Sequence, residues 1–256
     1  VESKLFQSYV NLADDVIMDT SWICEQEKLK SKVICYDTYN WQYKRCISRV
    51  GGMDLSFIKG DESVACAALV VCELPNCEVV YEDITMVPLT VPYVPGFLGF
   101  REAPALVEAF SRLRDNINLV PECVLVDGNG ILHPRGFGLA SHVGVLCDIP
   151  TVGVAKNLYQ MDGILRDDDQ KHRISLLHEP GDHFALKTSS GNTLGLAVKT
   201  SASSTKPVYV SVGHKISLHT AAWLVCLCSK YRIPEPVRQA DIRSREFIRK
   251  NLLSQK

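Results

Sequence analysis

The chain has 256 residues, of which 46% are hydrophobic and 22% are charged. This length and balance predict one or two globular domains with a large buried core, and they exclude a disordered chain and a collagen-like fibre. The 28 basic and 29 acidic side chains give a formal net charge of −1, which argues against a globally basic nucleic-acid binder but not against a local basic groove.

The number of cysteines and the hydropathy indicate the kind of cellular compartment in which the protein is found. Ten cysteines in this length are too few for a disulfide framework, and no Cys-x-x-Cys pair occurs. The longest apolar run covers residues 64–72 and is too short to span a bilayer. We therefore expect a soluble protein of a reducing compartment that has no membrane partner.

The first third of the chain predicts a helix followed by a strand meander. Residues 1–32 have an amphipathic helical pattern. In the next segment the apolar side chains of Met53, Leu55 and Phe57 alternate with polar or small ones, which is the period of a strand. Residues 64–72 and 79–87 predict two further strands, and the turns between them are short, so the three strands should pair antiparallel.

The rest of the chain alternates helices and strands. We expect a helix over the apolar period of residues 106–113 with Pro104 in its first turn, and a short, fully covered strand at 123–126. The remaining predictions are a helix at 139–146, a strand at 151–155, a polar loop at 161–173, strands at 193–198 and 207–212, a helix capped by Ser217 that ends near Cys228, and a last helix opened by Pro236. Together they predict one α/β domain over residues 1–256, with a mixed sheet flanked by helices.

Two aspartates stand out on the predicted strands. Asp127 ends a buried strand and precedes Gly-Asn-Gly, which is where α/β sheets place their sites, although an aspartate before glycine can also simply form a turn. Asp54 lies within a strand, on the face opposite Met53, where an exposed polar face is the plainer alternative.

Two further acids lie at helices. Asp241 shares a helix face with Val237, Ser244 and Ile248, so it needs a partner, and the alternative to a functional role is a buried ion pair with a nearby arginine. Glu102 lies just ahead of the predicted helix, where its ordinary role would be to stabilise that helix N-terminus.

These four acids offer oxygen ligands, which suit Mg²⁺ or Mn²⁺ better than Zn²⁺. No His-Glu-x-x-His motif and no phosphate-binding P-loop occurs. Of the histidines, His142 is expected to be structural, whereas His133 and His214 stay open. Residues 230–256 carry eight basic and three acidic side chains, which fit either a solvated helix face or a flank that contacts phosphates.

Five segments taken together closely resemble the endonuclease V family, the inosine-specific nucleases. They are Val-Gly-Gly-Met-Asp-Leu-Ser-Phe at 50–57, Pro-Tyr-Val-Pro-Gly-Phe-Leu-Gly-Phe-Arg-Glu at 92–102, Val-Asp-Gly-Asn-Gly-Ile-Leu-His-Pro-Arg-Gly-Phe-Gly at 126–138, Val-Gly-Val-Ala-Lys at 152–156 and Arg-Ile-Pro-Glu-Pro-Val-Arg-Gln-Ala-Asp at 232–241. The resemblance runs in order from about residue 40 to the C-terminus. It implies a ribonuclease H-like fold, in agreement with the mixed sheet expected from the patterns.

The resemblance also implies an activity. It is a Mg²⁺-dependent endonuclease, with Mn²⁺ able to substitute, that cuts the second phosphodiester bond 3′ to inosine and leaves 3′-hydroxyl and 5′-phosphate ends. Single-stranded RNA containing inosine is the expected substrate, because animal members favour RNA. The alternatives are a repair endonuclease acting on deoxyinosine in DNA and a catalytically silent reader of inosine-containing strands.

By the same resemblance, Asp54 and Asp127 are the central metal ligands with Glu102 beside them, and Lys156 is the active-site lysine. Asp241 stands where bacterial members carry histidine and animal members aspartate, so this sequence is similar to the animal type, and we assign Asp241 a catalytic role.

Residues 92–95 match the family's wedge, which fills the gap left by an extruded base. The expected substrate-binding residues are Pro92, Tyr93, Val94, Pro95, Gly96, Leu98, Gly128, Gly130, Gly138, Leu139 and Ala155. Backbone groups packed closely around such glycines could recognise hypoxanthine while leaving no room for the 2-amino group of guanine. We also expect the protein to be a monomer and to lie in the cytoplasm or the nucleus, including the nucleolus.

Overall fold

The fold is built on one eight-stranded mixed sheet. The structure is a computed structural model that describes residues 20–253. The strands of the sheet lie in the order β3-β2-β1-β4-β5-β8-β7-β6. The strands are β1 Arg49–Ile58, β2 Asp61–Glu73, β3 Glu78–Pro88, β4 Cys123–Asp127, β5 Thr151–Ala155, β6 His183–Lys187, β7 Thr193–Val198 and β8 Val208–His214. The helices are α1 Thr20–Lys30, α2 Asn40–Lys44, α3 Leu98–Leu113, α4 Leu139–Cys147, α5 Asp168–Ser175, α6 Leu218–Leu227 and α7 Glu235–Leu253.

The predicted meander and the mixed sheet are confirmed. Strands β1, β2 and β3 pair antiparallel, β1, β4 and β5 are parallel, and β8, β7 and β6 continue the sheet antiparallel. The parallel register of β1 and β4 places Met53 opposite Val126. Because the two strands run in the same direction, Asp54 and Asp127 follow that pair side by side, Asp127 at the carboxyl end of β4 and Asp54 in the middle of the longer β1.

Strand β4 is covered on both faces, as its continuous apolar sequence predicts. Cys123 and Leu125 pack into one core with residues of α6 and α7, whereas Val124 and Val126 pack into a second core with residues of α3 and α4. The sheet therefore has helices on both sides, and the end of β4 is a rigid platform between two cores.

The polar face of β1 is buried, and the alternative of an exposed polar face for Asp54 is wrong. Asp54 and Ser56 are each only 6% exposed. Helix α7 covers them, since Ser56 Oγ lies 2.7 Å from Ser244 Oγ on that helix. Phe57, expected on the apolar face, is 46% exposed because it lies at the end of the strand.

Helix α7 comes unusually close to β1 at Gly52. An ideal Cβ built there would lie 2.1 Å from the carbonyl carbon and oxygen of Pro236, in the first turn of the helix. Only glycine permits this distance, because any side chain would collide with the helix backbone. The close approach brings Asp241 of α7 down to the sheet.

The start of helix α3 differs from the prediction. Helix α3 begins at Leu98, so Pro104 lies inside it rather than in its first turn. The additional turns are held by tertiary contacts, since Trp22 stacks on Phe100 at 5.5 Å and the Arg101 guanidinium donates to the carbonyl of Val91 at 2.6 Å. Such contacts stabilise a helical segment that local propensity does not indicate.

The polar stretch predicted as a loop at 161–173 contains the start of helix α5. Asp167 caps this helix by accepting a hydrogen bond from the backbone amide of Gln170 at 2.8 Å. Strand β6 follows it and was not predicted. Of the amphipathic segment predicted at 1–32, residues 1–19 lie outside the described residues, and helix α1 occupies most of the remainder.

All ten cysteines are free thiols. Among the helices of residues 20–253, none combines the length and the apolar character that crossing a bilayer requires.

Candidate active site

Three aspartates from three elements converge at the carboxyl ends of the parallel strands. Asp54 comes from β1, Asp127 from the end of β4 and Asp241 from α7, and one oxygen of each lies within 4.8 Å of the others. The parallel pairing of β1 with β4 places Asp54 next to Asp127. The close approach of α7 to β1 at Gly52 brings Asp241 to them. The sequence pointed to all three residues, and the fold places them together.

Two serines connect the strand and the helix that carry these acids. The Ser56 hydroxyl donates to Asp54 Oδ2 at 3.3 Å and lies 2.7 Å from Ser244 Oγ. Both serines are buried, so this contact holds α7 on β1 next to the acidic group. Neither serine was singled out as functional from sequence, although their spacing of two and three residues from Asp54 and Asp241 places them on the same faces.

Two basic side chains neutralise part of the acidic charge. Lys156 Nζ, just after β5, lies 2.6 Å from Asp127 Oδ2 and 3.5 Å from Asp241 Oδ1. Arg245 Nε lies 2.9 Å from Asp241 Oδ1, and its side chain is 65% exposed. Asp241 thus belongs to the acidic group and also pairs with an arginine, so the two alternatives weighed for it are combined in one residue.

The crowding of carboxylates changes their protonation. Burial, followed by the charge and hydrogen bond of Asp127, raises the pKa of Asp54 from 3.8 to about 8. Burial alone would lower the pKa of Lys156, but Asp127, Asp241 and Asp54 outweigh it, so its pKa lies above the ordinary value. Three acids beside two bases, Lys156 and Arg245, leave an excess of negative charge, which Asp54 removes by keeping its proton.

Glu102 lies beside this group rather than in it. It is inside helix α3 and only 6% exposed, so it does not serve the helix N-terminus as the alternative supposed. Burial raises its pKa to about 7, the Arg101 charge lowers it, and the charge of Asp127 raises it again. Glu102 is close enough to be influenced by Asp127, whereas the three aspartates alone form the compact group of oxygens.

The residues present fit a divalent cation. The group offers three carboxylate oxygens, and hard cations such as Mg²⁺ and Mn²⁺ prefer such ligands. Burial and the negative charges of Asp127 and Asp241 keep a proton on Asp54, and the positive charge of a bound cation would favour the ionised carboxylate instead. This site is therefore suited to hold a metal ion with oxygen ligands.

The glycines that follow β4 are required by close backbone packing. An ideal Cβ at Gly130 would lie 1.9 Å from the carbonyl oxygen of Val212, and one at Gly138 would lie 2.4 Å from that of Asn129. We call residues 128–138 the glycine-rich loop. It folds back on itself, because the Gly138 amide donates to the Gly130 carbonyl at 2.9 Å, and it leads directly into helix α4.

Several of the expected base-reading amides already have partners. The Gly130 amide donates to Ser211 Oγ at 2.9 Å and the Gly128 amide to the Val154 carbonyl at 3.3 Å. With the Gly138 amide also engaged, these three glycines shape the loop, and recognition of a base by their own N–H groups would have to displace an internal hydrogen bond.

The other expected substrate-binding residues surround this loop. Leu139 opens α4 and is buried, with its side chain facing Gly128, and Ala155 is buried at the end of β5. Leu98 is half-buried at the start of α3, and Gly96 precedes it with a φ of +83°.

The residues matched to the wedge form an exposed loop between β3 and α3. We call residues 92–95 the wedge loop. Pro92 and Pro95 are exposed, Val94 is half-buried, and Tyr93 is 60% exposed. The Phe97 amide donates to the Val94 carbonyl at 3.0 Å, which closes the turn behind the tyrosine. An aromatic ring on a loop of fixed shape is available to stack on a base.

His133, His142 and His214 each contact the surrounding scaffold. The His142 ring packs on Phe100 at 5.0 Å and on Phe137 at 5.3 Å, and burial lowers its pKa to about 4. The two histidines that were left open accept hydrogen bonds from backbone amides, His133 from Arg135 at 3.2 Å and His214 from Ile34 at 3.3 Å.

Four of the eight basic side chains in the C-terminal segment are paired with acids. On α7, Arg238 pairs with Glu235, Arg243 with Glu82, Arg245 with Asp241 and Lys250 with Glu246. Of these pairs, only that of Arg245 reaches the acidic group.

Comparison with known proteins agrees with this site. The family model described as Endonuclease V matches residues 27–242. Human endonuclease V is 54% identical over 235 residues, which cover 90% of this chain and 83% of the human protein.

Solved structures show the same fold. A crystal structure of human endonuclease V, 51% identical, superposes with a TM-score of 0.89 and covers 91% of this chain and 99% of that one. The Ciona intestinalis enzyme is 35% identical over 90% of this chain and 98% of its own, with a TM-score of 0.83, and its crystal structure contains a 24-mer DNA with an inosine followed by a ribo-adenosine.

These relatives confirm the resemblance, the animal type and the ribonuclease H-like fold that the five segments imply. This chain therefore belongs to the endonuclease V family, whose members are metal-dependent nucleases that hydrolyse phosphodiester bonds.

Proposed function

We propose that this protein is a Mg²⁺-dependent endonuclease that cuts single-stranded RNA at the second phosphodiester bond 3′ to inosine, leaving 3′-hydroxyl and 5′-phosphate ends. The observation that carries the proposal is the convergence of Asp54, Asp127 and Asp241 within 4.8 Å beside Lys156. The inosine specificity is supported by the relative that was crystallised on an inosine-containing DNA.

Asp54, Asp127 and Asp241 would hold the cation, and Glu102 would stand next to it. A bound Mg²⁺ supplies activation of water and charge stabilisation at the phosphate. Mn²⁺ can substitute because it accepts the same oxygen ligands. Asp54 must lose its proton to become a ligand, so the protein binds metal more tightly as pH rises toward the raised pKa of this group.

Two basic groups would contact the substrate. The Lys156 ammonium lies between Asp127 and Asp241, so it can neutralise negative charge on a phosphate placed over the acidic group. The exposed Arg245 guanidinium borders the same place from α7 and can bind an adjacent phosphate with its free edge. Arg245 would thus give the C-terminal helix one contact with the nucleic-acid strand next to the site.

The exposed Tyr93 would stack on the base next to the extruded inosine, with Pro92, Val94 and Pro95 fixing its loop. Base stacking of this kind contributes ~1–3 kcal/mol. The base itself would lie against the wall made by Gly96, Leu98, Gly128, Gly130, Gly138, Leu139 and Ala155. The backbone packed closely around the glycines of this wall would leave no space for the 2-amino group, which guanine has and hypoxanthine lacks.

Deoxyinosine in DNA is the second candidate substrate, favoured by the DNA in the Ciona intestinalis complex. The choice between the two depends on contacts to 2′-hydroxyls. The deciding experiment compares end-labelled strands of one sequence with a single inosine: all RNA, all DNA, and DNA with one ribonucleotide after the inosine. A strand with guanosine in place of inosine is the control for specificity, and the Asp127→Asn variant is the control for contaminating nucleases.

We expect Mg²⁺ to support cleavage of the RNA at the second bond 3′ to inosine, EDTA to abolish it, and the guanosine strand to survive. Faster cleavage of all-DNA strands would overturn the RNA preference. Binding of inosine strands without cleavage in any divalent metal would mean a catalytically silent reader.

We further propose that the protein acts as a monomer in the cytoplasm or the nucleus. Light scattering of the purified chain tests the first statement, and a mass of twice 28.5 kDa would overturn it. Fractionation of cells that produce the tagged chain tests the second.

A further inference from the structure

Helix α1 rests on the two loops assigned to base recognition, and one buried amide makes the connection. Gln26 is 2% exposed. Its Nε2 donates to the carbonyl of Gly96, just after the wedge loop, at 2.9 Å and to the carbonyl of Phe137, in the glycine-rich loop, at 3.3 Å. Both hydrogens of a single NH₂ group are thus used to join two segments that are far apart in sequence.

The two peptide groups that Gln26 contacts are each held at both ends. The peptide between Gly96 and Phe97 has its carbonyl on Gln26, and its N–H donates to Val94 at 3.0 Å. The peptide between Phe137 and Gly138 likewise has its carbonyl on Gln26, and its N–H donates to the carbonyl of Gly130 at 2.9 Å. Gln26 therefore sets the distance between the two loops, since neither peptide can rotate independently.

Surrounding side chains fix the orientation of the amide. Gln26 Oε1 accepts a hydrogen bond from Arg135 Nε, so the NH₂ group must face the two carbonyls. The Arg135 guanidinium also lies over the Phe97 ring, 4.9 Å from its centroid, and Trp22 of α1 stacks on Phe100. Gln26 was not singled out from the sequence. The available signal was its place on the helix, one turn after Trp22 and three residues before Leu29, which is buried.

We propose that Gln26 is a positioning residue that sets the selectivity of this enzyme for inosine over guanosine, a role that rests on the proposed function. Exclusion of a 2-amino group requires a gap defined to a few tenths of an ångström between the wedge loop and the glycine-rich loop. With the amide removed, each loop keeps its internal turn but loses its hydrogen-bonded link to the other, and the contact of Arg135 with the Phe97 ring does not fix the distance between two peptide groups as a hydrogen bond does. The gap then widens, inosine binds less tightly, and guanosine is admitted.

The main test is Gln26→Met, which keeps the length and the uncharged character of the side chain but removes both donors and the acceptor. Its matched control is Cys24→Ser, an uncharged change on the exposed side of the same helix. Turnover number and KM are measured on two single strands that differ only by inosine or guanosine, at saturating Mg²⁺ and across a Mg²⁺ titration.

We expect Gln26→Met to raise KM for the inosine strand by about tenfold, the scale of one or two neutral hydrogen bonds, and to lower the inosine-to-guanosine ratio of kcat/KM by a similar factor. The Mg²⁺ midpoint should stay at the wild-type value because the acidic group is untouched. A merely structural role would reduce the active fraction and lower cleavage of both strands equally.

A folded Gln26→Met protein with an unchanged inosine-to-guanosine ratio would overturn the inference. If Gln26→Met does not fold, Arg135→Gln decides, because Arg135 is partly exposed and its loss frees the Gln26 amide to rotate. An unchanged ratio in that variant would equally overturn it. A wild-type enzyme that shows no preference for inosine would instead overturn the proposed function itself.

Discussion

Replacing Asp54 by asparagine should stabilise the metal-free protein while it abolishes cleavage. Asp54 is 6% exposed and its carboxyl is surrounded by Asp127 and Asp241, so burial and these charges raise its pKa to about 8. The unfolded chain releases the same proton near its ordinary value of 3.8. Asparagine keeps the shape of the side chain but carries no charge at any pH.

The magnitude follows from proton linkage. Between about pH 4 and pH 8 the native protein holds a proton that the unfolded chain has lost, so the free energy of unfolding falls as pH rises, by ~1.4 kcal/mol per pH unit. From pH 5 to pH 7 the wild type should therefore lose ~3 kcal/mol that Asp54→Asn retains. For a domain of this size that corresponds to a difference in Tm of ~6–12 °C at pH 7.

The assay is thermal unfolding in EDTA at pH 5, 6 and 7, repeated with Mg²⁺, together with cleavage of an inosine strand. Asp168→Asn is the matched control, because this aspartate is almost fully exposed and should leave the pH dependence of the wild type unchanged. Mg²⁺ should raise Tm of the wild type more than that of Asp54→Asn, which lacks a central ligand. Parallel pH dependences of wild type and Asp54→Asn in EDTA would refute the reasoning.

Three further changes test the site and its supports. Asp241→Asn should slow cleavage by at least ~100-fold with little change in Tm, because it removes a carboxylate from a crowded group; a large fall in Tm with near-normal turnover would favour the ion pair with Arg245 instead. Tyr93→Ala should leave Tm unchanged, since the ring is 60% exposed, and weaken binding of inosine strands by ~1–3 kcal/mol, most in paired strands; equal binding would contradict the wedge. Gly52→Ala should lower the free energy of unfolding by ~1–3 kcal/mol or more, because a Cβ there meets the backbone of Pro236 at 2.1 Å, and urea unfolding at an unchanged midpoint would count against that clash.

Local patterns in the sequence were sufficient for most of the sheet. The alternation before Phe57 and the short turns that follow it predicted the meander, and the continuous apolar run of β4 predicted a strand between two cores. Such patterns depend on which chain neighbours are apolar, and this information is present in the sequence itself. Helix α5 was missed because its residues are mostly polar, and strand β6 was missed because five residues at the edge of the sheet give only a weak pattern.

The four acids could also be selected from the sequence, Asp127 through its position at a strand end and all four, together with Lys156, through their resemblance to family motifs. The distances between these side chains could not be predicted from the sequence. Asp241 joins Asp54 and Asp127 because Gly52 lets α7 approach β1, whereas Glu102 stays to one side because α3 begins earlier than the local pattern indicates.

The sequence by itself thus determined the strands and helices of most of the chain, the family and the residue types of the site. Only the tertiary structure decided that Asp54 is the aspartate that keeps its proton and that Gln26 of α1 joins the two recognition loops. It also decided that the glycine amides after β4 are already hydrogen-bonded. The reason is physical: secondary structure follows from interactions between chain neighbours, whereas distances between remote residues depend on strand register and on how closely helices pack on the sheet.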